Sequence, residues 1–137
     1  MSIVVDSSVS LAWAYSDEAT PAVIETLRTL IAEGAWVPGI WRLEVANALS
    51  VGIRRGRADA AFLDSTLADL AQLPIREDPD TSLHAWGATM RLAGKHSLTT
   101  YDASYLELAL RRSIPLATLD RQLRAAATKE SVSLLGL

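Results

Sequence analysis

At 137 residues, half of them hydrophobic and 21% charged, the chain has the size and composition of one globular domain spanning 1–137. It is neither disordered nor low-complexity. Zero cysteines exclude disulfides and thiolate metal sites, and no apolar run approaches the ~20 residues of a membrane span. A net charge of −3 does not advertise a nucleic-acid binder, although cations held by acidic residues would reverse the local sign.

The opening Ile3-Val4-Val5 reads as a short buried strand rather than a signal peptide, which with the lack of cysteine favours the cytosol. Ser7 or Ser8 can cap a brief helix through Trp13. Thr20-Pro21 opens a helix to about Glu33, with threonine at the cap and proline in the first turn, and Gly34 ends it. Ala35 to Val37 is a second strand. A helix follows from about Ile40 to Arg55, with Trp41, Val45, Ala48, Leu49 and Gly52 as its inward stripe. Gly56 stops it. Another helix spans Asp59 to Leu73, turning Phe62, Leu63, Leu67 and Leu70 inward.

Pro74 breaks the chain before a strand at Ile75 to Glu77, and Pro79-Asp80 leads into a helix that Gly94 should stop. Asp102 reads as the cap of a helix to Arg112. The remaining elements are a strand at Leu116 to Thr118, a helix at Arg121 to Thr128 and a strand at Ser131 to Leu135. Strands separated by helices imply crossover connections, hence an α/β fold with a parallel sheet flanked by helices in three layers.

Four carboxylates sit where carboxylates should be rare. Asp6 ends the first strand, Glu44 borders the apolar stripe of its helix outside the first turn, Asp102 opens a helix and Asp120 follows Leu116-Ala117-Thr118-Leu119. In parallel sheets ligands bind outside the carboxyl ends of strands, and the topology brings these acids to that edge. Converging carboxylates raise the cost of one another's burial, so a cation must hold them. With no cysteine and no histidine at ligand spacing, an oxygen-only set points to Mg²⁺ or Mn²⁺. Ser7 and Thr118 stand beside these acids, where a hydroxyl can orient a carboxylate. The other acids read as polar turns or helix starts (Asp78 among them) and solvated helix faces (Glu107 and Glu130 among them). His84 and His96 lie beside solvent-like segments. All but Lys95 and Lys129 of the 13 basic residues are arginine, the type suited to bidentate phosphate contacts.

Four stretches, in order, carry a family likeness: Ile3-Val4-Val5-Asp6-Ser7-Ser8, Leu43-Glu44-Val45-Ala46-Asn47-Ala48-Leu49, Leu98-Thr99-Thr100-Tyr101-Asp102-Ala103-Ser104-Tyr105-Leu106, and Pro115-Leu116-Ala117-Thr118-Leu119-Asp120-Arg121. Through them the chain resembles the PIN-domain ribonucleases, and within them the VapC-type toxins of toxin–antitoxin pairs. The resemblance implies a parallel sheet of four or five strands. It implies a catalytic, metal-holding set of Asp6, Glu44, Asp102 and Asp120, with Asp6 and Asp102 the most dependable ligands, supported by Thr118. It further implies Mg²⁺- or Mn²⁺-dependent cleavage of RNA, a homodimer, and a VapB-type antitoxin that blocks the acidic site. Trp13, Tyr15 and Trp36 are candidates for apolar surface that such a partner covers. A phosphoacceptor receiver domain also gathers acids at strand ends, but it needs a lysine after a late strand, and neither Lys95 nor Lys129 follows one.

Overall fold

A computed structural model describes residues 1–137. The chain folds as β1 (Ile3–Val5), α1 (Ser7–Ala14), α2 (Pro21–Glu33), β2 (Ala35–Val37), α3 (Trp41–Arg54), α4 (Ala60–Gln72), β3 (Ile75–Glu77), α5 (Thr81–His84), α6 (Met90–His96), α7 (Thr100–Arg112), β4 (Leu116–Ala117), α8 (Arg121–Lys129) and β5 (Leu134–Leu135). A π-helical turn at Ala85–Thr89 joins α5 to α6 across a kink at Gly87. No helix is long and apolar enough to cross a membrane.

The five strands form one parallel sheet in the order β3-β2-β1-β4-β5. Central β1 is buried on both faces, which explains its unbroken Ile3-Val4-Val5 run. The chain leaves β1 for β2 and β3 on one side and returns for β4 and β5 on the other. The switch point therefore lies between β1 and β4, where Val5 pairs with Ala117. Ligand crevices of open parallel sheets form at such points. A Cβ on Gly52 of α3 would come within 2.7 Å of the Tyr15 hydroxyl, so a larger residue there would have to displace that side chain.

Several boundaries differ from expectation. The first helix is capped by Asp6, not by Ser7 or Ser8: the Asp6 carboxylate accepts from the Val9 N–H. The third helix begins at Trp41, which places Glu44 in its first turn. On α4 it is Thr66 that is buried beside Leu70, while Leu67 is exposed. Gly94 does not end its helix, since one exposed glycine costs only about 1 kcal/mol. The helix runs on to His96 and stops at Ser97 in the left-handed conformation (φ 54°). Strand β4 ends at Ala117, one residue before Thr118, whose N–H still donates to the Leu135 carbonyl at 3.3 Å.

The largest departure concerns charge. Asp78, Glu107 and Glu130 are not solvated. Asp78 and Glu107 are buried, and Glu130 is nearly so. Helix α7 is covered on every side from Ala103 to Ala109, so its polar residues find interior partners. Arg111 grips Asp78 at 2.7 and 3.1 Å and Glu107 at 2.7 and 3.1 Å, and Arg112 adds a 3.0 Å contact to Asp78 while lying 3.5 Å above the Trp36 ring. Glu130 is paired with Lys95 and with the buried His96, each at 2.7 Å, and His84 lies 3.8 Å from Glu107. Neither histidine faces open solvent.

The expected exposed aromatics are likewise half-buried. Trp13 donates its indole N–H to the Val23 carbonyl, Tyr15 stacks on Phe62 beneath Arg57, and Trp36 lies under Arg112. Exposed apolar side chains lie elsewhere, among them Leu43, Leu67, Leu83, Met90 and Trp86, the last 90% exposed.

The two arginines hold the Asp78 carboxyl down to about 2. A carboxylate depressed in the folded state stabilises the fold above its unfolded value near 4, and that stability is lost as pH falls toward 2. Asp78→Ala should therefore cost about 3 kcal/mol near neutral pH, because it strands Arg112 and leaves Arg111 with Glu107 alone. The difference between variant and wild type in urea unfolding should shrink steadily between pH 4 and pH 2.

Candidate active site

Asp6 is the most deeply placed of the four acids, 5% exposed at the end of β1. Its Oδ1 accepts from the Ser8 hydroxyl at 2.6 Å and the Val9 N–H at 3.2 Å, and its Oδ2 accepts from the Thr118 hydroxyl at 2.5 Å. Both hydroxyls are themselves committed as acceptors. Ser8 takes the Leu119 N–H and Thr118 takes the Asp120 N–H, each at 3.0 Å. A hydroxyl has one hydrogen; with a backbone donor on its oxygen, that hydrogen goes to Asp6. The loop after β4 thus orients the carboxylate at the end of β1 through two side chains. Thr118 stands on Asp6 as a hydroxyl beside that acid can. Ser7 makes no side-chain hydrogen bond, and Ser8 holds the place expected for it.

The other three acids also stand at helix starts. Glu44, half-buried in the first turn of α3, accepts from the Tyr105 hydroxyl at Oε1, 2.5 Å away. Asp102 lies in the first turn of α7, but it is not the cap: Thr99 caps that helix by accepting from the Asp102 N–H. The Thr99 hydroxyl is the one side-chain donor beside the Asp102 carboxylate, and it lowers the carboxyl against the burial and the Asp120 charge that raise it. Asp120 caps α8, its Oδ1 accepting from the Leu123 N–H at 2.8 Å. Four helix N-termini thus carry the four acids, and the positive ends of α1, α3, α7 and α8 partly offset the crowding of negative charge.

Pairwise charge repulsion links the four acids through Asp102. Burial pushes the Asp6 carboxyl up to about 6, the hydrogen bonds from Ser8, Thr118 and Val9 pull it part of the way back, and the Asp102 charge raises it further. Burial likewise raises Glu44, whose Tyr105 hydrogen bond opposes the shift and whose neighbour Asp102 adds to it. Asp102 is raised by burial and then by the charge of Asp120. Asp102 is therefore the hub, in electrostatic reach of each of the other three.

None of the four has a cation. Asp78, Glu107 and Glu130, the other acids withdrawn from solvent, are each paired with arginine, lysine or histidine. The fold neutralises carboxylates it buries for structure and leaves these four without counter-ions. No three acidic side chains stand close enough to clasp one ion between them. The donor set nevertheless fits a hard divalent cation: it is all oxygen, and Mg²⁺ keeps several waters while using one or two carboxylates with substrate phosphate. Asp6 and Asp102 are the residues that would hold it, with Glu44 to complete the oxygen set.

Sequence reasoning missed Ser8 and Tyr105. Ser8 differs from Ser7 only in which way the helix start turns it. Tyr105 carried a usable signal, since it lies three residues after Asp102 and so on the same helix face.

A family model described as PIN domain matches residues 3–129. Ribonuclease VapC3 of Mycobacterium tuberculosis, in two strains, is 32% identical over 126 residues, covering 90% of this chain and 86% of the relative. Among solved structures, PAE2754 from Pyrobaculum aerophilum superposes with a TM-score of 0.67 at 29% identity, over 92% of this chain and 84% of its own. FitAcB from Neisseria gonorrhoeae gives 0.65 at 18% identity, over 96% and 95%. VapBC2 from Rickettsia felis, bound to a DNA fragment from their promoter, gives 0.63 at 14% identity, over 98% and 97%. The last two share the fold.

A carboxyl raised in the folded state makes folding less favourable as pH climbs from its unfolded value to its folded one, because the native form must give up a proton it holds more tightly. In chelator, wild-type stability should fall between about pH 4 and pH 6 and then level off. Asp6→Asn should remove the largest share of that fall, on the order of 2–3 kcal/mol, as read from urea midpoints across this range.

Proposed function

This chain belongs to the PIN-domain family, and we propose that it is a Mg²⁺- or Mn²⁺-dependent endoribonuclease, the toxin of a toxin–antitoxin pair acting in the cytosol. One observation carries the reading: four carboxylates gather at the switch point of the sheet without a cation, whereas the other acids withdrawn from solvent are paired. The 32% identity to a protein named ribonuclease VapC3 supports RNA as the substrate.

Asp6 and Asp102 would hold the divalent ion, which when bound supplies positive charge for the phosphate oxygens and acidifies water. The Ser8 and Thr118 hydroxyls keep Asp6 in one orientation, so its position is set before any ligand arrives. Glu44 Oε2 and Asp120 Oδ2 accept no hydrogen bond within the chain; Glu44 Oε2 is free to complete the cation's oxygen set, and Asp120 Oδ2 to orient the attacking water and take its proton. Water adds to phosphorus, the P–O3′ bond breaks, and the products carry a 5′-phosphate and a 3′-hydroxyl. Without the cation the pocket repels RNA.

Two partners belong to this proposal. A small VapB-type antitoxin would cover the acidic pocket. A second copy of the chain would cover Leu83, Trp86 and Met90, each of which is exposed to water in the segment from α5 to α6. Size-exclusion chromatography with light scattering tests the homodimer, and a pull-down from the native host tests the antitoxin.

Cleavage of RNA by the purified chain should require Mg²⁺ or Mn²⁺ and cease in chelator. Asp6→Ala and Asp102→Ala should each lower kcat by at least about 100-fold with unfolding still cooperative. Retained cleavage by either folded variant would refute the assignment.

A further inference from the structure

We infer that Tyr105 is a positioning residue that fixes Glu44 for cation binding, an inference that rests on the nuclease reading above. Tyr105 lies inside α7, 1% exposed, with its ring among the helix's buried face. Its hydroxyl makes one hydrogen bond in the chain, to Oε1 of Glu44, a residue 61 positions away. That hydroxyl also lies within electrostatic reach of Asp6 and Asp102.

The choice of residue is informative. A phenylalanine would fill the same space on the helix face it shares with buried Leu108 and Ala109. A buried phenol needs a polar partner, and the partner here is a carboxylate with no counter-ion of its own. The packing therefore bears a polar requirement that only Glu44 satisfies.

Glu44 depends on this contact more than its neighbours depend on theirs. Asp6 is gripped by two hydroxyls and an amide, and Asp120 by a backbone amide at its helix cap. Asp102 is short and rooted in a buried helix. Glu44 has the longest side chain of the four, stands half-exposed on α3, and has Tyr105 as its one hydrogen-bond partner. Committing Oε1 to the tyrosine removes the carboxylate's rotational freedom and leaves Oε2 as the single oxygen offered to the pocket. Second partners of this kind commonly change metal affinity by about 10- to 100-fold.

The test uses the full chain, stripped of metal, without RNA. Mn²⁺ binding is measured by isothermal titration for wild type, Tyr105→Phe, Glu44→Ala and the double variant, and the crystal structure of Tyr105→Phe is determined. Tyr105→Phe should weaken Mn²⁺ about tenfold and show Glu44 in more than one conformer. On RNA, kcat should drop by a similar factor while KM holds. In the Glu44→Ala background the same change should have no further effect, which a merely structural tyrosine would not produce. Glu44→Asp leaves the core tyrosine untouched but is one methylene too short to span pocket and phenol, and it should lose affinity equally.

Wild-type affinity with a single unchanged Glu44 conformer in Tyr105→Phe overturns the inference. So does an equal loss in the Glu44→Ala background, an unchanged affinity in Glu44→Asp, or a wild type that takes up no Mn²⁺. A wild type that binds Mn²⁺ but cleaves no RNA defeats the nuclease reading alone, and the clamp is then decided by the affinities and the conformer.

Discussion

The hydrogen bond from Thr118 to Asp6 joins the ends of two adjacent strands that are 112 residues apart in sequence. It can form because β1 and β4 are neighbours, and they are neighbours because the chain changes direction across the sheet at that point. Everything else in the pocket follows. The amides of Leu119 and Asp120 saturate the acceptor side of two hydroxyls, which leaves both protons for one carboxylate. The same loop then starts α8 and delivers Asp120. A carboxylate this deep is costly in water-free surroundings, and three donors only partly offset that cost, so its carboxyl stays well above the usual range.

The domain treats its acids in two ways. Away from the switch point, Asp78 and Glu107 are locked by Arg111 and Arg112, and Glu130 by Lys95 and His96. These pairs tie β3 to α7 and α6 to the end of α8, which fixes the helix that carries both Asp102 and Tyr105. At the switch point the acids are crowded and left without cations. Removing a structural acid strands its partners and weakens the fold, while removing an acid from the pocket relieves repulsion. Opposite responses to the same kind of substitution are the physical signature that separates the two groups.

Much of this was legible in the sequence because it is local. The Thr20-Pro21 start, the Gly34 stop, the Val-rich first strand and the acids at strand ends each depend on neighbours a few positions away. What was illegible depends on remote partners. Glu107 looks like a solvated helix residue until Asp78, placed next to Val37 by a backbone hydrogen bond, reaches the same arginine. Asp102 resembled a cap because Thr99 and Asp102 are both good caps, and only the path of the preceding loop decides between them. Ser8 displaced Ser7 for the same reason: the hydroxyl that matters is the one the first helical turn aims at a loop more than 100 residues on.

The sheet that organises this pocket is very small. Its strands are two or three residues long, and its rims are Ile75-Arg76-Glu77 and Leu134-Leu135. A rim of that length exposes few unpaired amides and carbonyls, and one rim carries opposite charges side by side. Such borders are poor templates for another chain to zip onto. The molecule can therefore be crowded among its own copies with little tendency to grow into fibrils, even though its helices still show apolar surface to the solvent.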